Sequence, residues 1–349
     1  MAEQNAQSAL RVAVVVLNWN GWRDTVECLE SVLRSDYPNY RVVVCDNGST
    51  DDSVANIRAW ADGNRQVEMD GPPWTSLPKL PSRKSISSVT YGRIEAEAGG
   101  NQAVDVPLTL IETGANLGFA GGNNVGLRYI QARGEFSLVW LLNNDTVVRP
   151  DALSHLVQRM RARPDAGICG STLAYYDHPE CVQALGGASF DFRRGIARHL
   201  GVGDKIETQR DVDTIERALD YVVGASMLVS TKFLVDIGLM SEEYFLYYEE
   251  IDWATRAQGR FGLAWAPDSV VYHKEGASIG SSHRARPSAT SLRYLYRNRL
   301  RFARLHTPSC YWSVFRSVVF EALVFLKRRD LPAVRIIVNC LRHSMFTRH

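Results

Sequence analysis

VAVVVLNWNGWRDTVECLESVLRSDYPNYRVVVCDNGSTD, residues 12–51, is the stretch that decides the fold. Val12 to Leu17 is a continuous apolar run rich in β-branched residues, as expected of a strand covered on both faces. After Asn18-Trp19-Asn20-Gly21 the pattern changes period, and Val26, Leu29, Val32 and Leu33 fall on one face of a helix. A second apolar run, Arg41 to Cys45, ends at Asp46, and Ser49 to Asp52 offers capping residues for a helix running through Trp60. Strand, helix, strand, helix implies a mostly parallel sheet flanked by helices.

The same alternation continues outward. Leu108 to Glu112 reads as a third strand, Asn123 to Ala132 as a third helix and Leu138 to Leu142 as a fourth strand. Pro150 opens the next helix in its first turn, with Leu153, Leu156 and Met160 as its apolar stripe. Beyond Ala166 the pattern becomes mixed. Short strands are expected around Val182 to Ala184 and Tyr221 to Val229, a helix from Glu249 to about Gln258, and two strands at Leu263 to Ala266 and Ser269 to Tyr272. From about Thr290 the chain reads as two or three amphipathic helices broken near Pro308 and Pro332.

One segment breaks the alternation. Arg65 to Val106 holds Pro72, Pro73, Pro78, Pro81, a serine cluster and Gly99-Gly100, and is too long for an ordinary connection. It reads as a surface insertion, with a lid over the site as the other reading. The expected organisation is an α/β domain over residues 1–289, divided near residue 150, and a helical tail over 290–349.

The chain has 349 residues, 45% of them hydrophobic, which supports a sizeable core and excludes a disordered or fibrous class. The net charge of +2 hides a contrast. Residues 290–349 carry twelve Lys or Arg against two acids, Glu321 and Asp330, a local +10, while residues 1–289 carry 28 against 36 and stand at −8. The six cysteines (Cys28, Cys45, Cys169, Cys181, Cys310 and Cys340) have neither C-x-x-C nor metal-finger spacing, and read as core thiols of a reducing compartment. Met1 to Ala9 is polar, without the apolar core of a signal peptide, and Tyr311 to Leu326 is interrupted by Arg316 and Glu321. A cytoplasmic protein, able to touch the inner face of the membrane, is the expectation.

Ligands of parallel sheets bind outside the carboxyl ends of the strands. Here those ends carry Asn18, Asp46, Thr113 to Asn116 and Asn143 to Asp145, all polar. Six motifs follow in order: VVLNWNG (15–21), CDNGSTD (45–51), ETGANLGFAGGNNVG (112–126), LLNNDT (141–146), YYEEIDW (247–253) and VYHKEGAS (271–278). Six in this order are far more specific than any one alone. From about Val12 to about His306 the chain resembles the family 2 glycosyltransferases, and within them the bacterial rhamnosyltransferase-like branch.

That resemblance implies a GT-A fold: a Rossmann-like nucleotide-binding half over about 11–150, an acceptor-binding half over about 151–289, and here a C-terminal amphipathic helical extension. It implies an inverting reaction on a nucleotide sugar, first dTDP-rhamnose and otherwise a UDP-sugar, with a cell-surface glycan or lipid-linked oligosaccharide as acceptor. Asp46 would accept the imino N–H of the base, with Asn18 and Asn20 shaping the same wall; as an Asx residue, Asp46 also suits a turn cap. Asn116, Gly121, Gly122 and Asn123 would line the nucleoside and sugar, although glycines there serve tight helix–sheet packing equally well. Asn143-Asn144-Asp145 stands at the D-x-D position and keeps only the last acid. Asp145, with Asn144 beside it and His273 as a further ligand, would hold Mg²⁺ or Mn²⁺ on the diphosphate. Lys274 and Ser278 would lie near phosphate.

Glu249, Glu250 and Asp252 open a helix, where acids are favourable in any protein. Crowded carboxylates also raise one another's pKa, which suits a base that takes a proton from an attacking hydroxyl. The family's E-D-x-D pattern aligns its second acid with Glu250, a Glu in place of Asp, leaving Glu249 and Asp252 as alternatives. Two other classes compete. A nucleotidyltransferase needs a basic glycine-rich loop after the first strand, which residues 18–21 lack. A non-catalytic nucleotide-sugar-binding module has no use for a base. The tail, with Arg293, Arg297, Arg299, Arg301 and Arg304 among Leu295, Leu300, Phe302 and Leu305, can rest on an anionic membrane, pack on the catalytic domain or form a homodimer contact. It contains no recognised nucleic-acid-binding module, so no nucleic-acid partner is expected.

Overall fold

The apolar run at 12–17 becomes the centre of the molecule. In the computed structural model, which describes residues 9–69, 71–75, 85–274 and 288–346, strand β1 (Val12–Asn18) has Val12, Ala13, Val14, Val15 and Val16 fully buried. The expectations for residues 1–8, Pro78, Pro81 and Ser278 lie outside the described residues. Helix α1 (Trp22–Val32) returns the chain to β2 (Tyr40–Asp46), and α2 (Ser53–Ala61) leads to the edge strand β3 (Ser88–Gly92) and the short α3 (Arg93–Glu97). Next come β4 (Leu108–Glu112), α4 (Gly118–Arg133), β5 (Leu138–Asn143), β6 (Thr146–Val148), α5 (Ala152–Ala162), β7 (Ala166–Tyr175) and β8 (Val182–Leu185). The second half adds β9 (Gly187–Asp191), β10 (Ile196–His199), α6 (Val212–Ala218), β11 (Tyr221–Val222), β12 (Ser226–Ser230), α7 (Thr231–Ile237), α8 (Glu249–Ala257) and β13 (Gly262–His273). Three helices close the chain: α9 (Ala289–His306), α10 (Tyr311–Lys327) and α11 (Leu331–Phe346).

Ten strands form one sheet in the order β3-β4-β2-β1-β5-β12-β7-β13-β6, with β8 on β7, and β10-β9-β11 form a small second sheet. The first five strands of that order are parallel throughout. Register then places the site: Asn18 lies opposite Asp46, Asp46 opposite Glu112, and Leu17 opposite Asn143, so the polar strand ends share one edge. Side chains alternate along each strand. Val12, Val14 and Val16 pack with α1, α2 and α5, while Ala13 and Val15 pack with α4, α7 and α8. Each such buried Val or Leu contributes roughly 1.5–3 kcal/mol of burial free energy.

The structure departs from the sequence reading in four places. The two strands expected over 263–272 are one strand, β13, whose pairing to β7 shifts between Ala266 and Val270. The single run expected over 221–229 splits into β11, in the small sheet, and β12, in the large one. Helix α4 starts at Gly118, five residues ahead of the expected Asn123. The insertion is partly built into the body: β3 extends the sheet in parallel beside β4, and Trp74 is buried with its Nε1 donating to Glu27 at 2.6 Å.

The tail is not a separate appendage. Leu292, Tyr296 and Leu300 of α9 share a core with Val314, Val318, Ile337 and Leu341 of the two following helices. On its other side α9 places Phe302 in an aromatic cluster with Phe190, Tyr244 and Tyr248 of the body.

Candidate active site

One wall is a chain of buried amides and hydroxyls at the ends of β1, β2 and β5. Asp46 accepts from Asn18 Nδ2 at 2.7 Å through one oxygen and from the Ser49 amide at 3.1 Å through the other. Thr25 Oγ1 donates to Asn18 Oδ1 at 2.6 Å and accepts from Asn144 Nδ2 at 3.1 Å. The turn cap expected of Asp46 is therefore present. Each carboxylate oxygen retains acceptor capacity beyond its one bond here. Asn20, at φ +50°, receives the Thr50 amide at 2.7 Å and ties the two strand-end loops together.

The second wall is the start of α4. Gly118 has φ +73°, and a Cβ there would stand 2.2 Å from Phe245 O, so only glycine fits on two counts. The next residue, Phe119, donates its amide to Phe245 O at 2.8 Å, joining this helix start to the loop before α8. Asn116 caps the turn by accepting from the Gly118 amide at 2.9 Å. Gly121 and Gly122, expected to line the nucleoside and sugar, are buried in close packing. A Cβ on Gly121 would meet Leu117 at 2.8 Å, and one on Gly122 would meet Leu17 at 2.5 Å and Asn47 at 3.0 Å. Asn123 is also buried and donates to Phe119 O of its own helix at 3.0 Å. The packing use of these glycines, one of the two readings, is the one the geometry displays. Asn47, which the sequence reading passed over, holds this loop by accepting from the Leu117 amide at 3.0 Å and donating to Asn116 at 3.2 Å. Its place within CDNGSTD was the available signal.

Strand pairing brings Asp145 and His273 together. β6 is antiparallel to β13 with Thr146 opposite His273, so Asp145 lies beside the imidazole, Oδ1 to Nε2 3.2 Å. The other ring nitrogen, Nδ1, lies 2.9 Å from Gln183 Oε1, a fixing contact of the kind that orients ligating histidines. Burial alone would raise the Asp145 carboxyl; His273 and Lys274 more than offset it, and the group sits below its ordinary value. Lys274 does not stand free for phosphate. Its ammonium donates to Asp24 at 2.6 Å and also to Glu27, and these carboxylates hold its pKa up against burial.

The acids of α8 differ sharply from one another. Glu249 is buried with Oε2 unpartnered, and burial together with repulsion from Glu250 pushes its carboxyl well up. Glu250 is also raised by burial, but its Oε1 accepts from the Gly224 amide at 3.2 Å. A Cβ on Gly224 would be 2.7 Å from that oxygen and 3.0 Å from Phe119, so Glu250 lies across Gly224 from the start of α4. Ala225, beside Gly224, accepts from the Asn143 amide at 3.1 Å, which links Glu250 to the strand end that carries Asp145. Asp252, named as an alternative base, is held through both oxygens. Its oxygens take Arg256 Nε at 2.8 Å and His306 Nε2 at 2.7 Å, so it fastens α9 to α8.

The turn into α8 is held under strain. Tyr247 and Tyr248 have φ +68° and +77°, left-handed values that cost non-glycine residues roughly 1–2 kcal/mol each. Asn298 of α9 donates to Leu246 O at 2.8 Å and Tyr247 O at 3.0 Å, and Tyr248 OH donates to Gly195 O at 2.5 Å. Nothing in the local sequence signalled Asn298 or His306; both act from some fifty positions away.

A large mixed sheet with polar strand ends, a glycine-bounded helix start and a buried Asp–His pair defines the GT-A class of α/β fold. Residues 13–70 and 100–186 match the model of the glycosyl transferase family 2, so the chain carries a family 2 glycosyltransferase domain. Residues 71–99, the heart of the insertion, lie between the two matched stretches. Among curated proteins the chain is similar to the low-salt glycan biosynthesis hexosyltransferase Agl10 of Haloferax volcanii, 24% identical over 157 residues that cover 42% of this chain and 45% of that one. The chain thus matches less than half the length of this relative. Among solved structures it resembles the mannosyltransferase PcManGT of Pyrobaculum calidifontis in complex with GDP-Man and Mn²⁺, with TM-score 0.51, 16% identity and coverage of 99% of this chain and 89% of that one. It also resembles GalNAc-T7 with UDP, GalNAc and Mn²⁺, with TM-score 0.53, 13% identity and coverage of 83% and 48%. At these identities the likenesses establish the fold.

Proposed function

We propose that the protein is an inverting glycosyltransferase that moves a hexose from a nucleotide diphosphate to a hydroxyl of a glycan or lipid-linked acceptor, with Glu250 as the base. The observation that carries this reading is the linkage of Asp145 to a raised, partly accessible Glu250 through Asn143, Ala225 and Gly224. In this reading Asp46 receives the base of the nucleotide, and the glycine-bounded turn at the start of α4, whose Leu117, Gly118 and Phe119 amides are held by Asn47, Asn116 and Phe245, borders the donor. Rhamnose on dTDP is the first proposed donor, from the likeness of the motifs to that branch, and UDP-sugars come next. Glu250 takes the proton of the attacking hydroxyl, and a carboxyl held above its ordinary value is the better acceptor near neutral pH.

Asp145 and His273 fit a divalent ion as a partial donor set. One carboxylate and one imidazole, the latter held through its far nitrogen, suit an ion whose remaining positions belong to phosphate and water oxygens. When bound, Mg²⁺ or Mn²⁺ offsets charge on the departing diphosphate. Among the described residues no group of three or more His, Cys, Asp or Glu is placed to hold a metal ion.

The test is release of nucleoside diphosphate and sugar transfer across a panel of dTDP-, UDP- and GDP-sugars, with the anomeric configuration of the product read by NMR. Asp145→Ala should abolish metal-dependent turnover while circular dichroism stays that of the wild type. A mutant as active as wild type, with or without chelator, contradicts the metal assignment; turnover of none of the donors contradicts the reaction.

A further inference from the structure

We propose that the outer face of α10 docks the protein onto an anionic membrane surface, lying in the interface rather than crossing it. The helix has two stripes of opposite fate. Val314, Val318 and Ala322 are buried against α9 and α11. On the other side Trp312 is 64% exposed, Phe320 64%, Leu323 56% and Leu326 48%, with Val319 among them. Their spacing of three and four residues places them on one face. Leu331, at the start of α11, continues the patch and is 62% exposed.

The charges around this face select its occupant. Arg316 lies within the stripe, and Lys327, Arg328, Arg329, Arg335 and Arg342 are exposed at its end and along α11. Of the two acids of the region, Glu321 is turned inward and held by Arg299 and Tyr296, and Asp330 accepts the Ala333 amide at the start of α11. An apolar face bordered mainly by cations complements anionic lipid headgroups above acyl chains, with Trp312 suited to the boundary. A second copy of the chain meeting this face would bring cations against cations.

Pro308–Lys327 is long and apolar enough to cross a bilayer by length and composition. Its inner stripe, however, is committed to the three-helix core, and Arg299 anchors Glu321 of this helix to the body. The helix therefore rests on the surface as part of a folded platform. Because α9 also carries Asn298 and His306, the platform is fixed to α8.

The experiment is co-sedimentation of the full chain with phosphatidylcholine vesicles with and without phosphatidylglycerol, beside light-scattering mass in solution. Wild type should bind the anionic vesicles, and binding should weaken as salt shortens the Debye length from about 10 to about 3 Å. Replacing Lys327, Arg328 and Arg329 together by Gln should weaken it roughly 10²-fold, at about 1 kcal/mol per cation. The double change Phe320→Glu and Leu323→Glu, at exposed positions, should abolish binding while the fold is kept. No binding by wild type, or equal binding by the variants, overturns the proposal. So does a wild-type dimer that these changes convert to a monomer, and so does vesicle binding that resists an alkaline carbonate wash, which marks a spanning helix. The salt response of wild type is decisive even if a variant fails to fold.

Discussion

Glu249 shows how burial and a neighbouring carboxylate set the behaviour of an acid. It sits one residue before Glu250 with an oxygen lacking a partner, and both groups titrate above the ordinary range. A carboxyl whose folded pKa is raised makes the folded state take up protons relative to the unfolded one, so stability falls as pH rises above the unfolded value of about 4.3. Glu249→Gln, which imitates the protonated form, should raise the melting temperature at neutral pH. The advantage should shrink as the pH falls from the raised folded value toward about 4.3 and be gone below it. Thermal unfolding of both proteins across that range is the check; a destabilised variant at pH 7 would contradict the burial argument. Asp145 has the opposite sign: its lowered pKa contributes stability at neutral pH that is lost as the pH falls through the folded value.

At the scale of elements, the strained turn into α8 depends on a helix that composition marked as a tail. Asn298→Ala removes two hydrogen bonds and leaves buried carbonyls of Leu246 and Tyr247 short of a donor, which should cost about 1–3 kcal/mol. If the turn positions Glu250, turnover should fall while the donor's KM stays near wild type. Asn298→Gln, which keeps the amide, should recover part of the rate. A variant with lowered stability and unchanged turnover would reduce Asn298 to a structural residue. The sequence made the strands around β1 legible because each is a compact apolar run bounded by polar ends. It could not show that β9 and β10 form a hairpin that pairs on to β11, or that Ser88–Gly92 adds an edge strand, since neither 187–199 nor 88–92 carries a decisive period of its own. Asp46, Asp145, His273 and Glu250 stood out as residue types at strand and helix ends. Gln183, Asn47 and Asn298 did not, because their importance comes from partners that only the fold supplies.

At the scale of the molecule, two halves of one sheet meet at the site. The parallel half supplies Asn18, Asp46 and the start of α4, and the mixed half supplies His273, Gly224 and, through α8, Glu250. The contrast between a −8 body and a +10 tail set a boundary near residue 290 that the packing of α9 crosses, because charge composition is blind to which helix face is buried. Donor binding draws on both halves through Asp46, Asp145 and His273, but should be separable from proton removal by Glu250, which rests on a different side chain. Glu250→Gln keeps the size of the side chain and an acceptor for the Gly224 amide, but cannot take a proton. Its turnover at saturating donor, measured beside donor affinity by titration calorimetry, tests the account most directly. The prediction is a fall of roughly 10²–10⁴-fold in turnover with donor affinity essentially unchanged. Turnover close to wild type, above all with Glu249→Gln inactive instead, would contradict it.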